Sequence, residues 1–238
     1  ARYTGEFAAL PREVTQIKWA HEYYLNNPGY GAMDGAALHC MLRDRKPKRL
    51  IEIGMGYSTM LSVHSLALNA RESGSGCKLT SIEPYPKHGF QKAILRGLAD
   101  AQGSLVVVNQ MAQDVPLESY LQLEAGDVLF SDCARIVRLG SDTMFLFTQV
   151  LPRLARGVLV HVHDVFLPYE YPGDWIKHHR FWNEQYFLHM FLAHNSAFRV
   201  VMPVALMSKS FPGEFSSLLP PNYPPSIGGG FWIERVLD

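Results

Sequence analysis

Short apolar runs alternate with stretches of helical period along most of the chain. The runs at residues 49–53, 79–82, 105–108, 128–130 and 158–162 are rich in Val, Ile, Leu or Phe, with few polar residues inside. That pattern predicts strands buried on both faces. Between them, helical spacing of apolar positions covers 59–70, 90–99, 116–123 and 141–154. A strand-helix alternation of this kind predicts a parallel sheet with helices on both faces. Two more helices are expected ahead of the first strand, over 12–25 and 34–42. After the fifth strand the rhythm changes. Pro168, Pro172 and Gly173 punctuate an aromatic loop, followed by an expected helix over 181–193 and strands over 198–202 and 231–236. Between those strands stand Pro203, Pro212, Pro220, Pro221, Pro224 and Pro225, which predicts a long loop. The expected organisation is one domain over 1–238, with N-terminal helices over about 1–46 and lid segments over about 165–182 and 203–230.

Composition narrows the classes. Lys plus Arg number 22 and Asp plus Glu number 22, so the net charge of zero argues against a nucleic-acid partner. Hydrophobic residues make up 47% and charged residues 18% of the 238, enough apolar material for a buried core. No apolar run reaches the eighteen or so residues that a bilayer span needs, so no membrane partner is expected. The first residues show no basic stretch followed by an apolar one, so no signal peptide is expected. Cys40, Cys77 and Cys133 are odd in number and lack metal-ligand spacing, which predicts free thiols in a reducing compartment. A soluble, cytoplasmic protein is the expectation.

The most informative segment is Glu52-Ile53-Gly54-Met55-Gly56-Tyr57-Ser58, a strand end running into a helix. Gly54 and Gly56 allow a tight turn and close approach of a ligand. Open α/β sheets bind ligands at the carboxyl ends of their strands, where this turn lies. A dinucleotide fingerprint wants a third glycine at Thr59 and an acidic residue nearer than Glu83, and a phosphate-binding loop wants Gly-Lys-Ser/Thr. Both are missing. Glu83, closing the second strand, suits the two hydroxyls of a ribose, and Glu52 suits a cationic amino-acid group. A ligand that is part amino acid and part nucleoside, without phosphate, fits: S-adenosylmethionine.

The Glu52–Ser58 segment, Glu83 and Asp132 closing the fourth strand resemble the class I S-adenosylmethionine-dependent methyltransferases. The likeness extends to the small bacterial methyltransferase family 24. It is carried by Tyr30-Gly31-Ala32-Met33-Asp34, the segment 127–132, the segment 157–168, Trp182-Asn183-Glu184-Gln185-Tyr186 and the closing segment 228–233, covering roughly residues 28–235. The resemblance implies a Rossmann-like α/β fold, a seven-stranded, mostly parallel sheet with the last strand antiparallel. It implies that Glu52, Gly54, Gly56, Tyr57 and Ser58 cradle the methionine end, that Glu83 binds the ribose, and that Asp114 contacts the adenine. For Asp114 a second reading is a helix cap ahead of Pro116. A homodimer is the assembly the family suggests.

Methyl transfer is an in-line displacement, so the protein aligns the reactants and deprotonates the acceptor. Candidate groups lie at the ends of strands four and five: Asp132, His161, His163 and Asp164. Strand alternation puts His161 and His163 on one face and Asp164 on the other. His161 is expected as a hydrogen-bonded core residue. His163 is the first choice for general base or substrate contact, because imidazole titrates near neutral pH. Its alternative is to orient the following loop. Asp132 and Asp164 resemble the aspartate pair with which metal-dependent O-methyltransferases hold a divalent ion, Mg²⁺ being favoured by oxygen ligands. The Asn that usually follows the second aspartate is Val165 here. A further departure is sharper. Where the family reads Asp-Ser-Ser-His, this chain reads Asp132-Cys133-Ala134-Arg135, so a permanent cation replaces a base. Arg135 joins the catalytic candidates either as a clamp for a substrate carboxylate or phosphate or as the mark of a lost or altered methyl transfer.

An acceptor pocket is expected from Phe166, Tyr169, Tyr171, Trp175, Phe181 and Trp182 with the 203–230 segment, the alternative being a loop pinned by its aromatics. Lys177, His178, His179 and Arg180 read as a solvated helix start; Phe187, Met190 and Phe191 read as core or a dimer contact. The sequence therefore predicts a methyltransferase acting on a small molecule, a sugar or secondary-metabolite hydroxyl. Two alternatives stand beside it: another reaction in the same cofactor pocket, or a binding protein without catalysis.

Overall fold

A computed structural model describes residues 2–17, 22–86, 103–224 and 226–237. The seven strands are β1 (Arg49–Ile53), β2 (Lys78–Ile82), β3 (Ser104–Val108), β4 (Val128–Ser131), β5 (Leu159–Val162), β6 (Phe198–Pro203) and β7 (Phe231–Arg235). They form one sheet in the order β3-β2-β1-β4-β5-β7-β6. The first five pair in parallel, and β7 lies antiparallel between β5 and β6. The expected mostly parallel sheet with an antiparallel last strand is present. The chain moves outward from β1 to β3, then returns to β4 on the other side. That reversal opens a crevice at the carboxyl ends of β1 and β4.

Strand alternation sorts the core into two layers. Leu50, Phe130, Leu159 and Trp232 pack with the helices α1 (Thr4–Ala8), α2 (Ala32–Arg45) and α3 (Tyr57–Ser73). Ile51, Ile53, Leu129, Val160 and Val162 pack on the opposite face with Leu146, Phe147, Leu151 and Leu188. Helices thus cover both faces, as the buried strands require.

Three expected elements differ. Over 12–25 the described residues hold a short 3₁₀ turn, Val14–Gln16, rather than a helix. The Gln16 Oε1 accepts the amides of Arg12 and Glu13 at 2.8 and 3.0 Å, capping this single turn, and Ile17 is already extended at φ −69° and ψ 138°, so the turn does not propagate. The 203–230 segment is not a continuous loop: it holds helices Val204–Ser210 and Pro212–Ser216. Its prolines fall where a helix tolerates them, Pro203 just before the first and Pro212 opening the second. The helix expected over 141–154 starts at the Ser141 cap, whose Oγ accepts the Met144 amide at 3.2 Å. It then loosens into a π turn, Leu146–Val150, and a 3₁₀ turn, Leu151–Arg153. Pro152 has no amide to give the ladder, and the Arg153 guanidinium instead reaches the Gln149 carbonyl at 2.8 Å. The helix expected over 90–99 lies outside the described residues.

A buried polar knot ties α1 to α2 and α3. His39 is fully buried, with Nδ1 2.9 Å from Ser65 Oγ and Nε2 3.1 Å from Glu6 Oε2. Arg43 donates from Nε to Glu6 Oε2 at 2.7 Å and also meets Asn69 and Glu72. Burial, with His64 beside it, holds the His39 imidazole down to about 4. An unfolded histidine titrates near 6.5, so between pH 6.5 and 4 the unfolded chain binds a proton the folded one refuses. This contribution is intact above pH 6.5 and is lost on acidification, by about 3 kcal/mol at pH 4. His39→Gln should therefore lose less stability than the parent between pH 7 and pH 4.5 in urea unfolding. An identical loss in both proteins would contradict the assignment.

Candidate active site at the ends of β1, β4 and β5

The turn after β1 is built around Gly54. Its φ is +96°, and a Cβ there would stand 3.0 Å from the Asp132 carbonyl oxygen. Its amide donates to the Ile82 carbonyl at 2.9 Å, and the Asp132 amide donates to the Ile53 carbonyl at 3.0 Å. The turn is thereby stitched to the ends of both neighbouring strands. Gly56 precedes α3, and nothing lies within 4 Å of the place a Cβ would take. Below the turn, Glu52 is 1% exposed. Its Oε1 accepts from Ser58 Oγ at 2.6 Å, while Oε2 has no partner among the described residues. Burial pushes the Glu52 carboxyl up to about 7, with Ser58 and Thr59 only partly offsetting it. A buried carboxyl oxygen held beneath an open glycine turn is a site waiting for a donor.

The other cofactor candidates lie on α3 and after β2 and β3. Tyr57 opens α3, and its ring meets Tyr24 edge-on at 5.6 Å. Glu83 follows β2, half-buried, with Oε1 accepting the Tyr85 amide at 2.9 Å. Asp114 ends a 3₁₀ turn, exposed. It does not cap the next helix: that helix is Leu117–Leu121, with Pro116 in the cap position and no side-chain cap bond.

On the acceptor side, Asp132, His163, Asp164 and Arg135 converge. His163 is 5% exposed, its Nδ1 3.3 Å from Asp164 Oδ2 and 3.7 Å from Asp132 Oδ1, its Nε2 3.7 Å from Asp34 Oδ2. These are ion-pair rather than hydrogen-bond separations. Burial alone would lower this imidazole, but Asp164 and Asp34 outweigh it and bring it up to about 9. The ring is a cation at neutral pH, so a general-base role for His163 is confined to alkaline solution. Asp164 does not take the opposite face. It lies beyond the last residue of β5 with φ +59°, which ends the strand alternation and turns its carboxylate to His163. His161 is a core residue but not a hydrogen-bonded one. Neither ring nitrogen has a partner among the described residues, and the ring packs 4.3 Å from Phe130 and 4.5 Å from Trp232.

Arg135 sits between the two strand-end aspartates. Its Nε is 2.5 Å from Asp164 Oδ2, its Nη2 contacts Asp132, and its guanidinium lies 4.6 Å over the Trp182 ring. Asp132, His163 and Asp164 have the proximity of a metal trio. The donor set nevertheless does not fit Mg²⁺ as it stands, because a guanidinium already engages both carboxylates.

The aromatic segment carries the pinning role. Phe166, Tyr171, Trp175 and Trp182 pack on one another with centroids 4.6 to 6.2 Å apart, while Phe181 is 66% exposed. The Trp182–Tyr186 segment explains the anchor. Gln185 Oε1 accepts the Phe166 amide at 3.1 Å, and Asn183 Oδ1 accepts the Val137 amide at 2.6 Å. Residues 177–180 are exposed, as expected of a solvated cluster. Phe187 and Phe191 pack on Phe147 at 5.3 and 5.7 Å, whereas Met190 is 74% exposed and outside the core. The three cysteines are free thiols.

Two buried residues of the site had no role assigned from the sequence. Asp34 accepts the amides of Gly229 and Gly230 at 3.0 and 2.7 Å while facing His163. The glycine run is required for that contact: a Cβ on Gly228 would meet Asp34 Oδ1 at 2.4 Å and Val204 at 2.6 Å. Tyr30 is 2% exposed, with its ring 4.8 Å from His163 and its hydroxyl without a partner among the described residues. An acid and a glycine triplet far apart in sequence were the available signal.

Comparison with known proteins bears on the family and the fold. Residues 51–165, which run from β1 to just past β5, match the methyltransferase-domain model of methyltransferase family 24. That segment is a methyltransferase domain by its sequence match. An uncharacterized Archaeoglobus fulgidus protein is 28% identical over 102 residues, 43% of this chain and 42% of that relative. The match thus spans less than half the length of that relative. Among solved structures, CalS11, a TDP-rhamnose 3'-O-methyltransferase of calicheamicin biosynthesis, superposes with a TM-score of 0.52 at 12% identity. The overlap covers 86% of this chain and 79% of that one. The SAH-bound Podospora anserina methyltransferase PaMTH1 shares 17% identity over 86% of this chain and 78% of its own, with a TM-score of 0.46. The likeness to CalS11, at 12% identity, is one of fold, and no helix among the described residues is long and apolar enough to cross a membrane.

Proposed function

We propose that the protein transfers the methyl group of S-adenosylmethionine to an oxygen of a small-molecule acceptor, a sugar or a secondary metabolite. The observation that carries this reading is the unpartnered, buried Glu52 Oε2 beneath the Gly54–Gly56 turn, a carboxyl acceptor where a cofactor ammonium group would lie. When bound, the cofactor supplies a sulfonium-activated methyl group. Glu52 and Ser58 would hold the methionine end, with Gly54, Gly56 and Tyr57 shaping the approach. Glu83 would accept the ribose hydroxyls and Asp114 the adenine. Asp132 and the charged His163 would bind and orient the acceptor from the β4 and β5 ends, with Tyr30 beside them. Aligning two reactants within reacting distance is itself a large part of catalysis.

Calorimetry with S-adenosylmethionine tests the cofactor assignment. Glu83→Ala removes a carboxylate acceptor and should weaken binding at least ten-fold, about 1.4 kcal/mol. Unchanged affinity would remove Glu83 from the site. A second reading, a protein that uses this cofactor pocket for other chemistry or without catalysis, is favoured by Arg135 standing where related chains carry a histidine. Methyl release onto an acceptor separates the two.

A further inference from the structure

Asp132 leaves the end of β4 and Asp164 the end of β5, and with His163 they present ligand atoms within 4.8 Å of one another. Such a trio is a ready receptor for a divalent cation. Here the position is filled from within the chain, and three separate features hold the filler in place. The Arg135 backbone adopts φ +60°, uncommon for a side chain of this size. Its carbonyl accepts the amides of Asn183 and Glu184 at 3.2 and 3.3 Å, at the start of the helix Glu184–Leu192. Its guanidinium is stacked on Trp182 at 4.6 Å while reaching Asp132 and, at 2.5 Å, Asp164.

We propose that Arg135 is the resident cation of this site, standing between Asp132 and Asp164 in place of a divalent metal. A guanidinium is permanently charged and extended, so one side chain hydrogen-bonds Asp132 through Nη2 and pairs by charge with Asp164 through Nε. With the guanidinium against both carboxylates, a divalent ion would have to displace a cation already seated there. Arg135 is thus a positioning residue: it fixes the two aspartates and keeps their oxygens from metal. This inference extends the methyltransferase reading, yet its measurement needs no methyl acceptor, so the two can fail separately.

The test is titration of the 238-residue chain with MnCl₂, followed by calorimetry. The parent and Arg135→Lys should show no saturable binding below millimolar Mn²⁺. Arg135→Ala should gain a Mn²⁺ site at least ten-fold tighter than any in the parent, and adding Asp164→Asn should abolish it. Arg135→Met, which keeps an aliphatic stem against Trp182, replaces the alanine variant if that one does not fold. Submillimolar Mn²⁺ binding by the parent that disappears in Asp164→Asn would overturn the proposal. So would a folded Arg135→Ala or Arg135→Met protein with no gain.

Discussion

Replacing Asp34 with alanine is expected to cost about 3–5 kcal/mol of stability, the sum of two buried amides left without an acceptor. Gly229 and Gly230 both donate to this one carboxylate, which is 7% exposed, and no water replaces it there without entering the core. In a chain of this size, that cost lowers the melting temperature by roughly 10 °C. Asp34→Asn keeps one carbonyl acceptor and should lose about half as much. Thermal unfolding of the two variants decides the matter. Equal losses would show that the charge or the packing, not the paired amide bonds, is what matters at this position.

Gly54→Val is the second large expectation. The residue needs φ +96°, which a β-branched side chain adopts only under strain of about 1–3 kcal/mol. Its Cβ would also press on the Asp132 carbonyl, backbone that is itself bonded to β1 and cannot swing away. The β1 and β4 ends must therefore separate, and both halves of the site move. Loss of cofactor binding by at least a hundred-fold, in a protein that still folds with a lowered melting temperature, is the expected result. Retained binding in calorimetry would show that the turn adapts and that Gly54 is not required for the cradle.

The sheet was legible because parallel strands buried on both faces leave continuous apolar runs, and all seven expected strands lie within a residue or two of those observed. The Glu52–Ser58 turn was legible because its glycines and acids are neighbours in sequence. What escaped depended on distant contacts or on backbone choices. Asp34 meets glycines almost two hundred residues on, a pairing no local pattern encodes. Asp164 was placed on the wrong face because strand period was carried past the end of β5, where a left-handed residue changes direction. The raised pKa of His163 needed Asp164 beside it and Asp34 from far earlier in the chain. The helices at 204–216 were hidden by counting prolines without asking where along a helix each would fall.

The position of β7 has a consequence for how the protein is made. It is the last strand in the chain but sits inside the sheet, between β5 and β6. On the ribosome, β1 to β5 can assemble in order, whereas β6 has no neighbour to join until β7 has been made. The triplet that clasps Asp34 arrives just ahead of β7. A nascent chain therefore forms the Glu52–Ser58 turn before the glycines that clasp Asp34 exist.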